Sequence, residues 1–154
     1  MKTKMLFAAL AALTLIGCGK AEPETPIVPQ ESDYKGTVTV MYEGAPFDNE
    51  NIEVNFTPSE DGKTASIIIY QIRFVPKMPV TIDVTIPNIE LQSTPEKILL
   101  ACERTIPLAM GGEFPRYTVT DLQGEIANNE LSFSLNFGDS PTSFKGQVQL
   151  KAAN

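Results

Sequence analysis

The sequence predicts an all-β fold, an eight-stranded antiparallel up-and-down barrel behind an exported N-terminus, and three observations carry that expectation. From Tyr34 to Leu150 the apolar residues recur with period two, the pattern of strands that bury one face. Short turn signals such as Asp61-Gly62 and Asn128-Asn129 separate the runs, which suits hairpins and not long crossovers. About 120 residues follow the N-terminal segment, enough for one hydrophobic core and too few for two.

The strands follow in order. Val38, Val40 and Tyr42 alternate with Thr37, Thr39 and Met41 until Gly44-Ala45-Pro46 breaks the run. Ile52, Val54 and Phe56 alternate with Glu53, Asn55 and Thr57, and Ser59 to Lys63 supplies the next turn. The third run, Thr64 to Phe74, contains Ile67-Ile68-Ile69-Tyr70, so it is buried on two sides or covered on its outer face. Strict alternation then places Gln71 and Arg73 on the face of Ile67 and Ile69, giving that face a polar end. After Pro76 and Pro79, the run Val80, Ile82, Val84 and Ile86 makes a fourth strand that stops before Pro87.

A less regular part carries Ile89 and Leu91, then Ile98-Leu99-Leu100-Ala101-Cys102. This run is a short buried strand or a helical turn opened by Ser93 or Thr94 with Pro95 at its first position, and the strand is preferred. Thr105 to Pro115 holds two prolines and two glycines among Ile106, Leu108, Met110 and Phe114. So apolar a loop is packed under the domain or acts as a flap, with packing preferred. Tyr117, Val119 and Leu122 lead to Ile126; Leu131, Phe133, Leu135 and Phe137 follow; Phe144, Gly146, Val148 and Leu150 close the meander. Closing the sheet on itself removes its edges, which favours a barrel over a two-sheet sandwich.

The N-terminus is of a different kind. Lys2 and Lys4 precede twelve uncharged, mostly apolar residues, Met5 to Ile16. That run is too short to span a bilayer, which takes about 20 apolar residues, and it reads as a signal peptide over residues 1–17. Leu15-Ile16-Gly17-Cys18 resembles the lipobox of bacterial lipoproteins, which implies cleavage after Gly17 and lipid attachment at Cys18. Gly19 in place of Asp implies, by the same resemblance, the outer membrane of a Gram-negative cell envelope over the inner membrane. Residues 18–33 alternate Pro23, Pro26 and Pro29 with Glu22, Glu24, Glu31 and Asp33, the composition of an extended, disordered tether. The folded domain is expected from residue 34 to 154.

Composition removes several function classes. The chain has no histidine, which excludes His-containing triads and His-ligated zinc. Once Cys18 is lipidated, Cys102 is the one remaining thiol, so neither a disulfide within the domain nor a thiolate-rich metal site can form. The formal charge is −7, and loss of Lys2 and Lys4 with the signal takes it to −9. Such a surface repels nucleic acid and anionic headgroups and suits a basic protein partner. No cofactor, metal or catalytic residue is expected: Asp139-Ser140-Pro141 reads as turn chemistry, and Cys102 lies in an apolar run that suppresses the thiolate.

The segments Tyr34-Lys35-Gly36-Thr37-Val38-Thr39-Val40, Met78-Pro79-Val80, Asp121-Leu122-Gln123-Gly124-Glu125, Asn129-Glu130-Leu131-Ser132-Phe133 and Ser143-Phe144-Lys145-Gly146 resemble the calycin-like, lipocalin-like β-barrel lipoproteins over residues 34 to 151. The resemblance implies an eight-stranded barrel behind a lipid tether and no catalytic residues. The Gly-x-Trp signature of lipocalins is missing, since the chain has no tryptophan.

Two non-catalytic functions remain. The first is a binding module of the envelope whose barrel mouth takes a small apolar ligand; Gln71, Arg73 and Arg104 are candidate mouth residues, with surface or snorkelling roles preferred for them. In the competing structural reading, which is preferred, Leu131, Phe133, Leu135, Phe137 and Phe144 simply fill the barrel. The second is a protein-interaction role, as an envelope inhibitor or assembly accessory, using the acidic residues Glu43, Asp48, Glu50, Glu60 and Asp61.

Overall fold

A computed structural model describes residues 25–150. The signal peptide, its cleavage point and Cys18 lie outside the described residues.

Eight long strands form the wall: β1 (Ser32–Tyr42), β2 (Ala45–Pro58), β3 (Thr64–Ile72), β4 (Ile82–Ser93), β5 (Ile98–Thr105), then β8 (Val119–Ala127), β9 (Glu130–Phe137) and β10 (Ser140–Val148). Two short strands, β6 (Leu108–Ala109) and β7 (Gly112–Glu113), make a side hairpin on β4. Each wall strand pairs antiparallel with the next, and β1 pairs with β10 from Tyr34–Val148 to Val40–Thr142, which closes the barrel. The run at Ile98 is a strand, as preferred, and it extends to Thr105. The apolar loop after it is packed in part: Pro107 and Ala109 are buried, while Leu108 on β6 and Met110 at the hairpin tip are exposed.

The turns divide between two ends. The base carries the start of β1, the β2–β3, β4–β5 and β8–β9 turns and the end of β10. The rim carries the β1–β2 and β9–β10 turns and the two long loops 73–81 and 106–118. The Asn128-Asn129 turn has both residues at positive φ (55° and 65°), the conformation a tight two-residue hairpin requires. At the rim Phe74 stacks on Tyr117 at 4.1 Å and meets the edge of Phe137 at 5.0 Å, so aromatic rings plug that end.

Four residues with positive φ interrupt the alternation inside the wall strands: Asn51, Gln71, Asn88 and Asp121. The pairing register shifts beside each, between Gly36 and Val38 opposite Asn51, between Ile69 and Ile72, between Ala65 and Ile67 opposite Asn88, and between Thr120 and Gln123. One extra residue per bulge turns the following side chains back to the interior, so Ile69 and Ile72, or Ile86 and Ile89, are both buried at a spacing of three. The expectation of a polar end to the third strand is therefore corrected: the bulge turns Gln71 outward, sends Ile72 and Phe74 inside, and leaves Arg73 half-buried. The fourth strand likewise starts at Ile82, not Val80, and runs through Pro87 to Ser93 because its bulge absorbs the proline.

Left-handed backbone costs about 1–2 kcal/mol for a residue with a Cβ. Gln71→Gly is expected to raise stability by up to about 1 kcal/mol after the entropy of glycine is counted. A urea unfolding midpoint above that of the parent chain checks it.

Candidate binding surface

The interior is filled. Val38, Phe56, Ile69, Ile86, Val119 and Leu131 have 0% exposure, and Leu100 and Phe144 have 2%. These residues come from all eight wall strands. At zero exposure no water-sized space borders the first six from outside or from within. Phe133 and Phe144 stack at 5.4 Å across neighbouring strands, occupying the volume in which an apolar ligand would lie.

The wall is instead indented. β2 and β3 pair from Pro58–Ala65 to Val54–Ile69 and then stop, where the bulges at Asn51 and Gln71 face one another. Beyond the gap the buried Asn49 side chain takes the place of the ladder: its Nδ2 donates to the Arg73 carbonyl (3.1 Å) and its Oδ1 accepts from the Arg73 N–H (2.9 Å). Between ladder and clamp opens a cleft of about 570 Å³, lined among others by Asp48, Glu50, Glu53, Tyr70, Gln71 and Arg73. Asp48 accepts a hydrogen bond from the Thr39 hydroxyl (2.7 Å), and the Asp83 carboxylate accepts one from the Gln71 N–H (2.9 Å). The Arg73 guanidinium donates from Nε to the Met78 carbonyl (3.1 Å), which ties its base to the 73–81 loop.

The structure separates the residues that sequence reasoning grouped. Of the expected mouth residues, Gln71 and Arg73 line the outer cleft, and Arg104 sits exposed on β5 opposite Thr120; none faces the interior. Of the acidic set, Glu43 is in the β1–β2 turn at the rim and Glu60 and Asp61 are in the β2–β3 turn at the base. Asp48 and Glu50 alone share the cleft. Asp61 serves its turn, where hydrogen bonds from the Ser59 hydroxyl (2.6 Å) and the Lys63 N–H (2.9 Å) hold its carboxyl below the usual range. Asn49, Glu53 and Tyr70, which also line the cleft, were not among the candidate site residues read from the sequence. The clue was a spacing of three between inward residues, 49 to 52 and 69 to 72, on the two strands that bound the cleft.

Chemically the cleft offers carboxylates, amides and one tethered guanidinium, a surface for cationic and hydrogen-bonding groups. Among the described residues no group of three or more metal-binding side chains converges. Cys102 is buried on β5, and desolvation pushes its thiol pKa up, which disfavours the nucleophilic thiolate.

Barrel closure, strand number and antiparallel order define an all-β, eight-stranded closed barrel compatible with a calycin-like fold. No protein-family model, curated protein or solved structure shows a significant match to this chain.

Proposed function

We propose that this chain is an exported, lipid-anchored, non-catalytic β-barrel binding module of the cell envelope, and that it engages a protein partner with its outer wall. The observation that carries the choice of target is the filled interior. With no space behind the rim for a small apolar ligand, binding moves to the outside, where the β2–β3 cleft of about 570 Å³ is lined by Asp48, Glu50 and Glu53. Its carboxylates suit a basic partner, and charge complementarity of this kind acts mainly on association rate and specificity. The lipobox at Leu15 to Cys18 supports the anchor.

Capture of partners from envelope extract by the lipidated chain, compared with a Glu50→Lys, Glu53→Lys variant, tests this reading. Reversing two cleft charges is expected to lower capture at low salt several-fold, with parent and variant converging at high salt as screening removes the difference. Equal capture by both at low salt contradicts it. The anchor is tested by intact mass: the mature chain is expected to begin at an acylated Cys18, and Cys18→Ser to remain unacylated.

A further inference from the structure

The segment before β1 runs across the base of the barrel. Residues 25–31 have no regular secondary structure, yet they are fixed at three points. The Glu31 carboxylate accepts a hydrogen bond from the buried Asn55 amide on β2 (3.2 Å). Pro29 lies against the β2–β3 turn, where a Cβ on Gly62 would sit 3.7 Å from its ring. The Ile27 N–H donates to the Thr94 carbonyl in the β4–β5 turn (3.0 Å). The chain therefore enters over β4–β5 and laces past β2–β3 before it joins the wall as β1.

This strap exposes aliphatic groups where an acidic protein would be expected to place polar ones. Ile27 is 37% exposed and Val28 69%, and Leu150, just past the end of β10 and so at the base too, is 88% exposed. Only the six residues from Gly19 to Glu24 separate the lipidated cysteine from the strap. Fully extended, they reach at most about 25 Å, comparable to the height of a nine-residue strand tilted in a barrel. The anchor thus keeps the base, and its three aliphatic side chains, within about one barrel height of the bilayer, close enough for them to reach it.

We propose that the barrel is seated on the membrane by its base, with Ile27, Val28 and Leu150 resting in the lipid interface. The two long loops at the rim then point away. The inference rests on the lipid anchor at Cys18 and adds an orientation to it. Each buried aliphatic group contributes in proportion to its area, and because the acyl chains already hold the domain at the surface, a small contribution suffices to orient it. The carboxylates beside the strap favour zwitterionic over anionic headgroups.

The test uses the lipidated full chain reconstituted into phosphatidylcholine vesicles that carry a quencher on the acyl chains. An environment-sensitive fluorophore is attached in turn at Val28→Cys, Leu150→Cys and Met110→Cys, in a Cys102→Ala background. Met110 lies 70% exposed at the rim and serves as the distal reference. Quenching is expected to be several-fold stronger at positions 28 and 150 than at 110. Equal quenching at the three, or stronger quenching at 110, overturns the seating. Emission at position 28 that shifts blue with protein concentration in the absence of vesicles also overturns it, since the strap would then be covering a second copy. Flotation of the same vesicles separates the two readings: a chain that fails to float refutes the anchor itself, whereas one that floats with position 28 unquenched refutes only the orientation.

Discussion

Gly36→Val is expected to destabilise the barrel by on the order of 3 kcal/mol, a large part of the 5–15 kcal/mol that holds a domain of this size together. Gly36 on β1 and Gly146 on β10 are register partners at the seam that closes the sheet. Their backbones approach so closely that a Cβ on Gly36 would fall on the Lys145 carbonyl oxygen and the Gly146 Cα. One on Gly146 would lie 2.5 Å from the Phe144 ring and 2.6 Å from the Lys35 carbonyl oxygen. Real side chains cannot occupy such positions, and the obstacles are mostly backbone, so relief requires the β1–β10 ladder to open. Urea unfolding read by circular dichroism checks the size. Gly112→Val is the control, because a Cβ there meets nothing within 4 Å, and its midpoint is expected to stay near that of the parent. Coincident midpoints for the Gly36 variant and the parent would show that the seam is not as tight as the geometry makes it.

Asn49→Ala carries the second large effect. Its side chain satisfies both backbone groups of Arg73 where β2 and β3 no longer pair, and the residue is 7% exposed. Truncation leaves a donor and an acceptor without partners at a partly buried site, at about 1–3 kcal/mol for each group not rescued by water, or roughly 2–3 kcal/mol in total. Asn49→Asp retains an acceptor for the Arg73 N–H but presents a second acceptor to its carbonyl, so it is expected to be destabilised as well. Hydrogen exchange at the Arg73 amide distinguishes this from a general loss of stability. That amide is expected to exchange much faster in the alanine variant, under conditions where the amides of β9 remain protected. Unchanged exchange would mean that the clamp is dispensable.

How much was legible in the sequence follows from the same residues. Alternation from Val38 to Val40, or from Leu131 to Phe137, reports a half-buried strand directly, and these strands lie as expected. The turn at Asn128-Asn129 was equally plain because both residues tolerate positive φ. Alternation cannot carry across a bulge, however. Gln71 is not a residue that advertises left-handed backbone, so the inversion at Ile72 stayed hidden, and with it the true positions of Arg73 and Phe74. The cleft was less legible still. It exists because two bulges on different strands meet and the ladder between those strands ends, a coincidence of three dimensions. Its acidic residues were visible individually, but Glu60 and Asp61, only a few residues beyond Glu53 in sequence, fold to the other end of the barrel.

The aliphatic strap shows the opposite case. Prolines and carboxylates predict an extended, disordered tether, but composition does not reveal that its last residues, 25–31, can lie across a barrel base and hydrogen-bond to the β4–β5 turn and to β2.

The proposed role has this barrel binding with its outside because its inside is full. Native mass spectrometry of the Cys18→Ser chain, which carries no acyl groups of its own, after incubation with envelope lipid extract tests it most directly. The account predicts the bare chain mass with no retained lipid. A stoichiometric lipid adduct that is lost when Leu131 or Val38 is enlarged to Phe would place a ligand inside the barrel and contradict it.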